Sequence, residues 1–271
     1  MSEAGKDASA KKKAAAEEPV SDRSSADIGI VCTHKGELKA FLKRVDRQRS
    51  YTDKKITVRG GFLGEVTRVA IAEAGEGFAA HRAAAELLAS EHRPLWILSV
   101  GFSSSLSDDV KPGDIILSNE ISDTHVNGLP VKCTIAARKR IHVGKLIVAD
   151  HHPITPADKA VIKERFPGLA VDTSSLAVAQ VCQERNLRFM AIRVAVDSLN
   201  EEIPEQAASM IFHPTSRALG SAIGTLFKGL RKMSEMNSWR ERTTTAAGNL
   251  DRFVTGIVEQ LAESIERQRL G

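Results

Sequence analysis

The chain lacks any apolar run near the roughly 20 residues that a membrane-spanning helix requires. Its longest apolar runs are strand-sized, so no membrane span is expected. The first residues, "MSEAGKDASAKKKAAAEEPVSDRSSA", mix Lys, Glu, Ser and Ala without an apolar core, which excludes a secretory signal and predicts a disordered tail over residues 1–26. Cysteine is scarce. Cys32, Cys133 and Cys182 are odd in number and have no metal-ligand spacing, so they predict free thiols in a reducing cytoplasm rather than a disulfide framework. A large charge of one sign is also missing. The formal net charge is only +4, too diffuse to argue for nucleic acid, and the basic stretch from Lys132 to Lys145 reads as solvated surface. Nor is there an internal repeat or a convincing linker after residue 27.

With 42% hydrophobic residues over 271 positions, the chain has ample material for one large α/β domain. From Asp27, "DIGIVCTHKGELKAFLKRV" reads as strand, polar turn and helix. Strand-like "KITVRG" and "EVTRVAIAEAG" precede a helical "GFAAHRAAAELLASEH". "PLWILSVG" is a buried strand, followed by a serine-rich turn, "FSSSLSDDVKPGD", and the strand "IILSNEIS". "KLIVAD" predicts a strand, and "TPADKAVIKERF" a helix opened by Thr155 with Pro156 in its first turn. "SSLAVAQVCQERN" follows as a helix capped by Ser or Thr. "RFMAIRVAV" is apolar on both alternating faces and so reads as a strand buried between layers. Two further helices are predicted, near residues 216–230 and 246–267, the second with Leu250, Phe253, Val254, Ile257, Val258, Leu261 and Ile265 on one stripe. The stretch 212–248 is predicted to be an insertion that covers a site mouth or a neighbouring subunit, with Trp239 among charges.

Ligands of open α/β sheets bind beyond the carboxyl ends of the strands. The turns after Val31, Val100 and Val196 carry Glu37, the "GFSSS" of residues 101–105, and Asp197. Two carboxylates flanking a small-residue loop suit a reaction in which a leaving group needs a proton and a water needs a base. The bland alternatives are a dipole-favoured helix acid for Glu37 and a turn cap for Asp197. The adjacent His151 and His152 have no third ligand at a suitable spacing, so no metal is predicted.

The order of "DIGIVCTHKGELKAFL", "VAIAEAGEGFAAHRAAAELL", "PLWILSVGFSSSLSDDVKPGDIILSNEI" and "FPGLAVDTSSLAVAQVCQERNLRFMAIRVAVD" resembles the purine nucleoside phosphorylase and nucleosidase superfamily. Within it the chain looks most like methylthioadenosine and S-adenosylhomocysteine nucleosidases. The resemblance spans about residues 27–200 and implies a single three-layer α/β/α domain around a mixed, partly closed sheet. It also implies a cytoplasmic homodimer acting on a small-molecule nucleoside without a cofactor. By the same resemblance Asp197 is the acid that protonates the departing base and Glu37 the base that activates water. Gly101, Phe102 and Ser103 stand near the sugar, His152 at the purine-stacking position, and Thr173 and Ser174 at the ribose clamp. Hydrolysis is favoured over phosphorolysis, because no N-terminal glycine and arginine phosphate cradle is evident. The chain departs from the family pattern at Ser174, where a ribose-gripping glutamate is usual, at Ser104 and Ser105, where glycines are usual, and at Val196, where a serine precedes the acid. Altered substrate and lost catalysis both fit these departures, so a catalytically impaired nucleoside-binding or scaffold protein is the alternative reading, and a nucleoside phosphorylase a further one, since the serines at 103–105 could bind an anion.

Overall fold

The computed structural model describes residues 23–125, 127–212 and 230–270. Most of the expected tail and the stretch 213–229 of the expected insertion lie outside them. Ala26, at the tail's end, is already buried, and its N–H donates to the His92 carbonyl.

Ten strands form one mixed sheet: β1 Ile28–Cys32, β2 Asp46–Asp53, β3 Ile56–Leu63, β4 Thr67–Glu73, β5 Trp96–Ser105, β6 Ile115–Asp123, β7 Gly128–Pro130, β8 Ile141–Val148, β9 Ala170–Asp172 and β10 Arg188–Ala195. The path runs β10-β6-β8-β9-β5-β1-β4-β3-β2, and an additional pairing of β10 with β5 closes five strands into a barrel-like ring. The sheet is therefore partly closed, and the ring has no free edge on its inner five strands. β1, β5 and β10 lie side by side and parallel, so the turns that follow β1 and β10 open at the same end. Their residues are almost all buried on both faces, as parallel strands covered by helices must be.

The α-helices among the described residues are α1 Lys39–Leu42, α2 Phe78–Leu87, α3 Pro156–Arg165, α4 Ser175–Glu184, α5 Glu205–Phe212 and α6 Leu230–Leu270. α2 and α4 cover one face of the sheet through Ala84, Ala85, Val178 and Val181. α6 covers the other, inserting Trp239, Ala246, Leu250, Val254, Ile257 and Val258 into the larger core. The three-layer α/β/α architecture follows. Among the described residues no helix is long and apolar enough to cross a membrane.

Four expectations change. The serines after Phe102 are not a turn: β5 continues to Ser105, because Ser104 and Ser105 pair antiparallel with Val171 and Ala170. The final helix begins at Leu230 rather than Ala246 and runs unbroken for 41 residues. Trp239 is buried, 5% exposed, with Arg242 over its ring at 4.4 Å, so the charges around it flank an apolar anchor. The helix α4 has Ser174 as its N-cap but gets no bond from that side chain. Asp172 Oδ1 instead accepts from the Ser174 and Ser175 N–H groups, as a carboxylate at a helix N-terminus should.

Candidate active site

A cavity of about 320 Å³ opens beyond the ends of β1 and β4. That volume lies at the lower end of the range for small-molecule sites. Its walls come from seven segments of the described chain, among them the turn after β1 (Thr33, Glu37), β5 (Val100, Gly101, Phe102) and the β9–α4 turn (Asp172, Thr173, Ser174). His152 enters from the loop after β8, Arg193 from β10, and Phe212 from α5.

Glu37 is held from three directions. Its Oε2 accepts from the Thr33 N–H at 2.8 Å and the His34 N–H at 3.3 Å, and its Oε1 from the Phe102 N–H at 3.3 Å. The local cause is a capping box, in which His34 Nδ1 accepts from the Gly36 N–H while Glu37 reaches back to the His34 N–H. Gly101 faces it across the wall. A Cβ there would stand 2.9 Å from Glu37 Oε1, so only glycine lets this carboxylate and β5 approach so closely.

Beside it lies a buried pair that the sequence reading did not single out. Arg193 Nε donates to Asp172 Oδ2 at 2.5 Å, Nη1 donates to the carbonyls of Ser99 and Ile192, and Nη2 donates to Ser99 Oγ. A guanidinium has five N–H donors, so one remains, on a side chain that lines the cavity. Asp172 was overlooked because it sits in a three-residue strand, and Arg193 because a single Arg inside an apolar strand carries no motif. A buried arginine in such a strand was nevertheless a signal, since that charge demands a partner.

His81 on α2 ties two walls together. The Gly77 carbonyl can only accept, so His81 Nδ1 carries the proton to it at 3.1 Å, and Nε2 accepts from the Thr33 hydroxyl at 3.4 Å. Burial lowers this imidazole to about 4, which keeps it neutral.

Glu37, Gly101, Phe102, His152, Thr173 and Ser174 all line the cavity. His152 has one face already covered by Phe212, stacked at 3.6 Å and 11° between planes. Ser103 and Asp197 do not line it. Ser103 Oγ points into the sheet toward the Val194 carbonyl. Asp197 sits behind β5, where its Oδ1 accepts from the Ser105 N–H at 2.9 Å and its Oδ2 lies 2.5 Å from Lys159 Nζ. Burial pushes the Asp197 carboxyl up from its ordinary value, and the Lys159 ammonium and the Ser105 N–H only partly offset that. Among the described residues no three His, Cys, Asp or Glu side chains converge as metal ligands.

The sequence matches the phosphorylase superfamily over residues 27–133 and 136–230. The chain belongs to that family. It is 24% identical over 203 residues to the 5'-methylthioadenosine/S-adenosylhomocysteine nucleosidase of Buchnera aphidicola, covering 63% of this chain and 78% of that one. The enzyme of the same name from Shewanella pealeana is 24% identical over 65% of this chain and 88% of its own. Among solved structures, the nucleosidase of Neisseria meningitidis in complex with methylthio-immucillin-A superposes with a TM-score of 0.66 at 17% identity, over 88% of this chain and 99% of that one. The Colwellia psychrerythraea nucleosidase in complex with adenine gives 0.68 at 18% identity, over 88% and 96%. The family and these relatives are named for enzymatic cleavage, phosphorylase in one case and nucleosidase in the other. The chain is an enzyme of that broad class.

Proposed function

We propose that the chain hydrolyses the N-glycosidic bond of a purine nucleoside or thionucleoside of the methylthioadenosine or S-adenosylhomocysteine type. The observation that carries this reading is the Glu37 carboxylate, fixed by three backbone N–H groups at a cavity wall and fitted against Gly101. Glu37 takes a proton from water as the water oxygen bonds to the anomeric carbon. The glycosidic bond breaks with its electron pair left on the base, and Asp197 supplies the proton that this nitrogen takes. The remaining Arg193 N–H orients the attacking oxygen, and His152, stacked on Phe212, contributes an aromatic wall beside the base.

Charge favours water over phosphate as the nucleophile. Among the described residues, Glu37, Glu76, Asp150 and Asp172 line the cavity against the guanidinium of Arg193, which Asp172 already pairs. A phosphate dianion would meet net repulsion there. The second reading, a nucleoside-binding protein with impaired chemistry, draws on one observation: Asp197 is outside the cavity and paired with Lys159.

The test is base release from a panel of purine nucleosides and thionucleosides, with and without phosphate, by the wild type, Glu37→Gln and Asp197→Asn. Phosphate-independent release that falls about 10²- to 10⁴-fold in each variant is expected. Release that requires phosphate would make the chain a phosphorylase, and nucleoside binding without release would make it a binder. A cytoplasmic homodimer belongs to the same reading, and a solution mass of one chain would remove the dimer.

A further inference from the structure

The pair that takes Asp197 out of the cavity is built with unusual completeness. Lys159, in the first half of α3, is 0% exposed, an extreme for a lysine. Its Nζ donates to the Ser198 carbonyl at 3.0 Å and the Glu201 carbonyl at 2.6 Å, and lies 2.5 Å from Asp197 Oδ2. Two carbonyls accept from Nζ, and the third oxygen beside it belongs to a carboxylate in ion-pair contact rather than a hydrogen bond, around a group that has three N–H bonds only as an ammonium. A neutral amine would turn its lone pair on one of those oxygens. The site is therefore made for the positive charge, and the carboxylate is its counterion.

We propose that Lys159 is a positioning residue that restrains the acid, holding Asp197 as a carboxylate turned away from the cavity, so that its removal increases turnover at neutral and alkaline pH. The inference rests on the reading of Asp197 as the proton donor. A proton donor must carry its proton and reach the base, and the ion pair opposes both. Other charges facing Asp197 do not replace this restraint. From β5 the Ser105 N–H binds the second oxygen. From its own loop Glu201 raises the carboxyl, and Arg242 of α6 is bound bidentately to that glutamate at 2.5 and 2.7 Å, which spends most of its charge locally. Among the described residues, Lys159 is the cation in contact.

Without the ammonium, a buried carboxyl in this setting favours its neutral form, as burial alone pushes it up. An aspartic acid that is neutral leaves no unpaired charge behind, so the variant keeps a reason to fold. Two substitutions separate charge from shape. Lys159→Met keeps the length and removes the donors, and Lys159→Gln keeps an uncharged donor.

The experiment is the pH profile of kcat/KM for base release by the wild type and both variants, together with titration of Asp197 followed by carboxyl carbon NMR. The alkaline limb is expected to move up by at least about one pH unit in both variants, with roughly tenfold faster release than wild type above the wild-type limb. Adding Asp197→Asn to Lys159→Gln should abolish that gain. A structural role for Lys159 would lower kcat/KM at every pH and leave the limb in place, which overturns the proposal. If no form releases base, the functional reading has failed, and the NMR titration decides for Lys159 alone. Asp197 ionised at neutral pH in the wild type and protonated in both variants would uphold the restraint, and the same titration in all three would refute it.

Discussion

Gly101 and Glu37 are adjacent in the cavity wall although 64 positions separate them, and neither makes chemical sense there without the other. The carboxylate is aimed by backbone donors from the turn after β1 and from within β5, and β5 can come this close only because position 101 has no side chain. A methyl group at 2.9 Å from Oε1 must displace either the strand, which is paired on both sides, or the carboxylate. The carboxylate will yield. Gly101→Ala is therefore expected to lower kcat for base release about 10- to 10²-fold while changing stability little, since a misplaced base loses orientation before it loses contacts. Unchanged kcat with intact folding would show that Glu37 is not the water-activating base. At this scale the sequence was informative where chemistry and position coincide. Glu37 was readable as a residue of the turn after β1, whereas Gly101, expected in a turn, lies inside β5; both line the cavity, with Thr173, Ser174, Phe102 and His152. Lys159 was not readable, because a lysine in "ADKAVIKERF" has the spacing of any solvated helical residue, and only a carboxylate 38 positions later explains its burial.

Elements were legible in proportion to their apolar pattern. The strands β1, β4, β5, β6, β8 and β10 and the helix α2 announce themselves through buried periodicity, and α3 through Pro156 in its first turn and Thr155, which accepts from the Asp158 N–H. β2 did not. Its residues "DRQRSYTD" are mostly exposed, because an edge strand paired only with β3 has little to bury and charges discourage further pairing. The 41-residue length of α6 was hidden for a related reason: its first half anchors through isolated residues such as Trp239 and Ala246 rather than a continuous stripe. One long-range contact gives this helix a role in the site. Asp251 of α6 accepts from the Ala40 and Phe41 N–H groups, both at 3.0 Å, and so satisfies donors at the start of α1, a helix too short to do so itself. The chain carrying Glu37 runs directly into α1. Asp251→Ala should destabilise the protein by about 1–3 kcal/mol, the cost of leaving buried donors unmet, and should also reduce kcat. A denaturant midpoint shift without any kinetic change would mean that α6 supports the fold but not the orientation of Glu37.

At the scale of the molecule, four carboxyls of the described residues form two pairs that respond oppositely to acid. Asp197 and Asp251 are raised by burial beyond what their partners offset, so falling pH relieves their cost. Asp114 and Glu201 would also be raised by burial, but Arg140 and His142 in one case and Arg242 in the other bring them below their usual values. Their stabilisation is present at neutral pH and is lost only as pH falls through those depressed values. Between these lies His81. Its native imidazole is lowered to about 4 from 6.5, so over that window the unfolded chain binds a proton that the folded one refuses. The stability tied to its neutral form is complete above pH 6.5 and declines as pH falls toward 4, by up to about 3 kcal/mol. His81 also joins Thr33 to Gly77, so its protonation at still lower pH takes away the acceptor that holds the Thr33 hydroxyl beside the cavity. Urea unfolding of the wild type and His81→Gln at pH 7, 5.5 and 4 isolates this contribution, because every other group titrates in both proteins. The wild type should lose about 2–3 kcal/mol more than the variant between pH 7 and 4. Parallel losses would mean that the imidazole is protonated in the folded state well above pH 4, and that the two cavity walls are joined by something other than a neutral histidine.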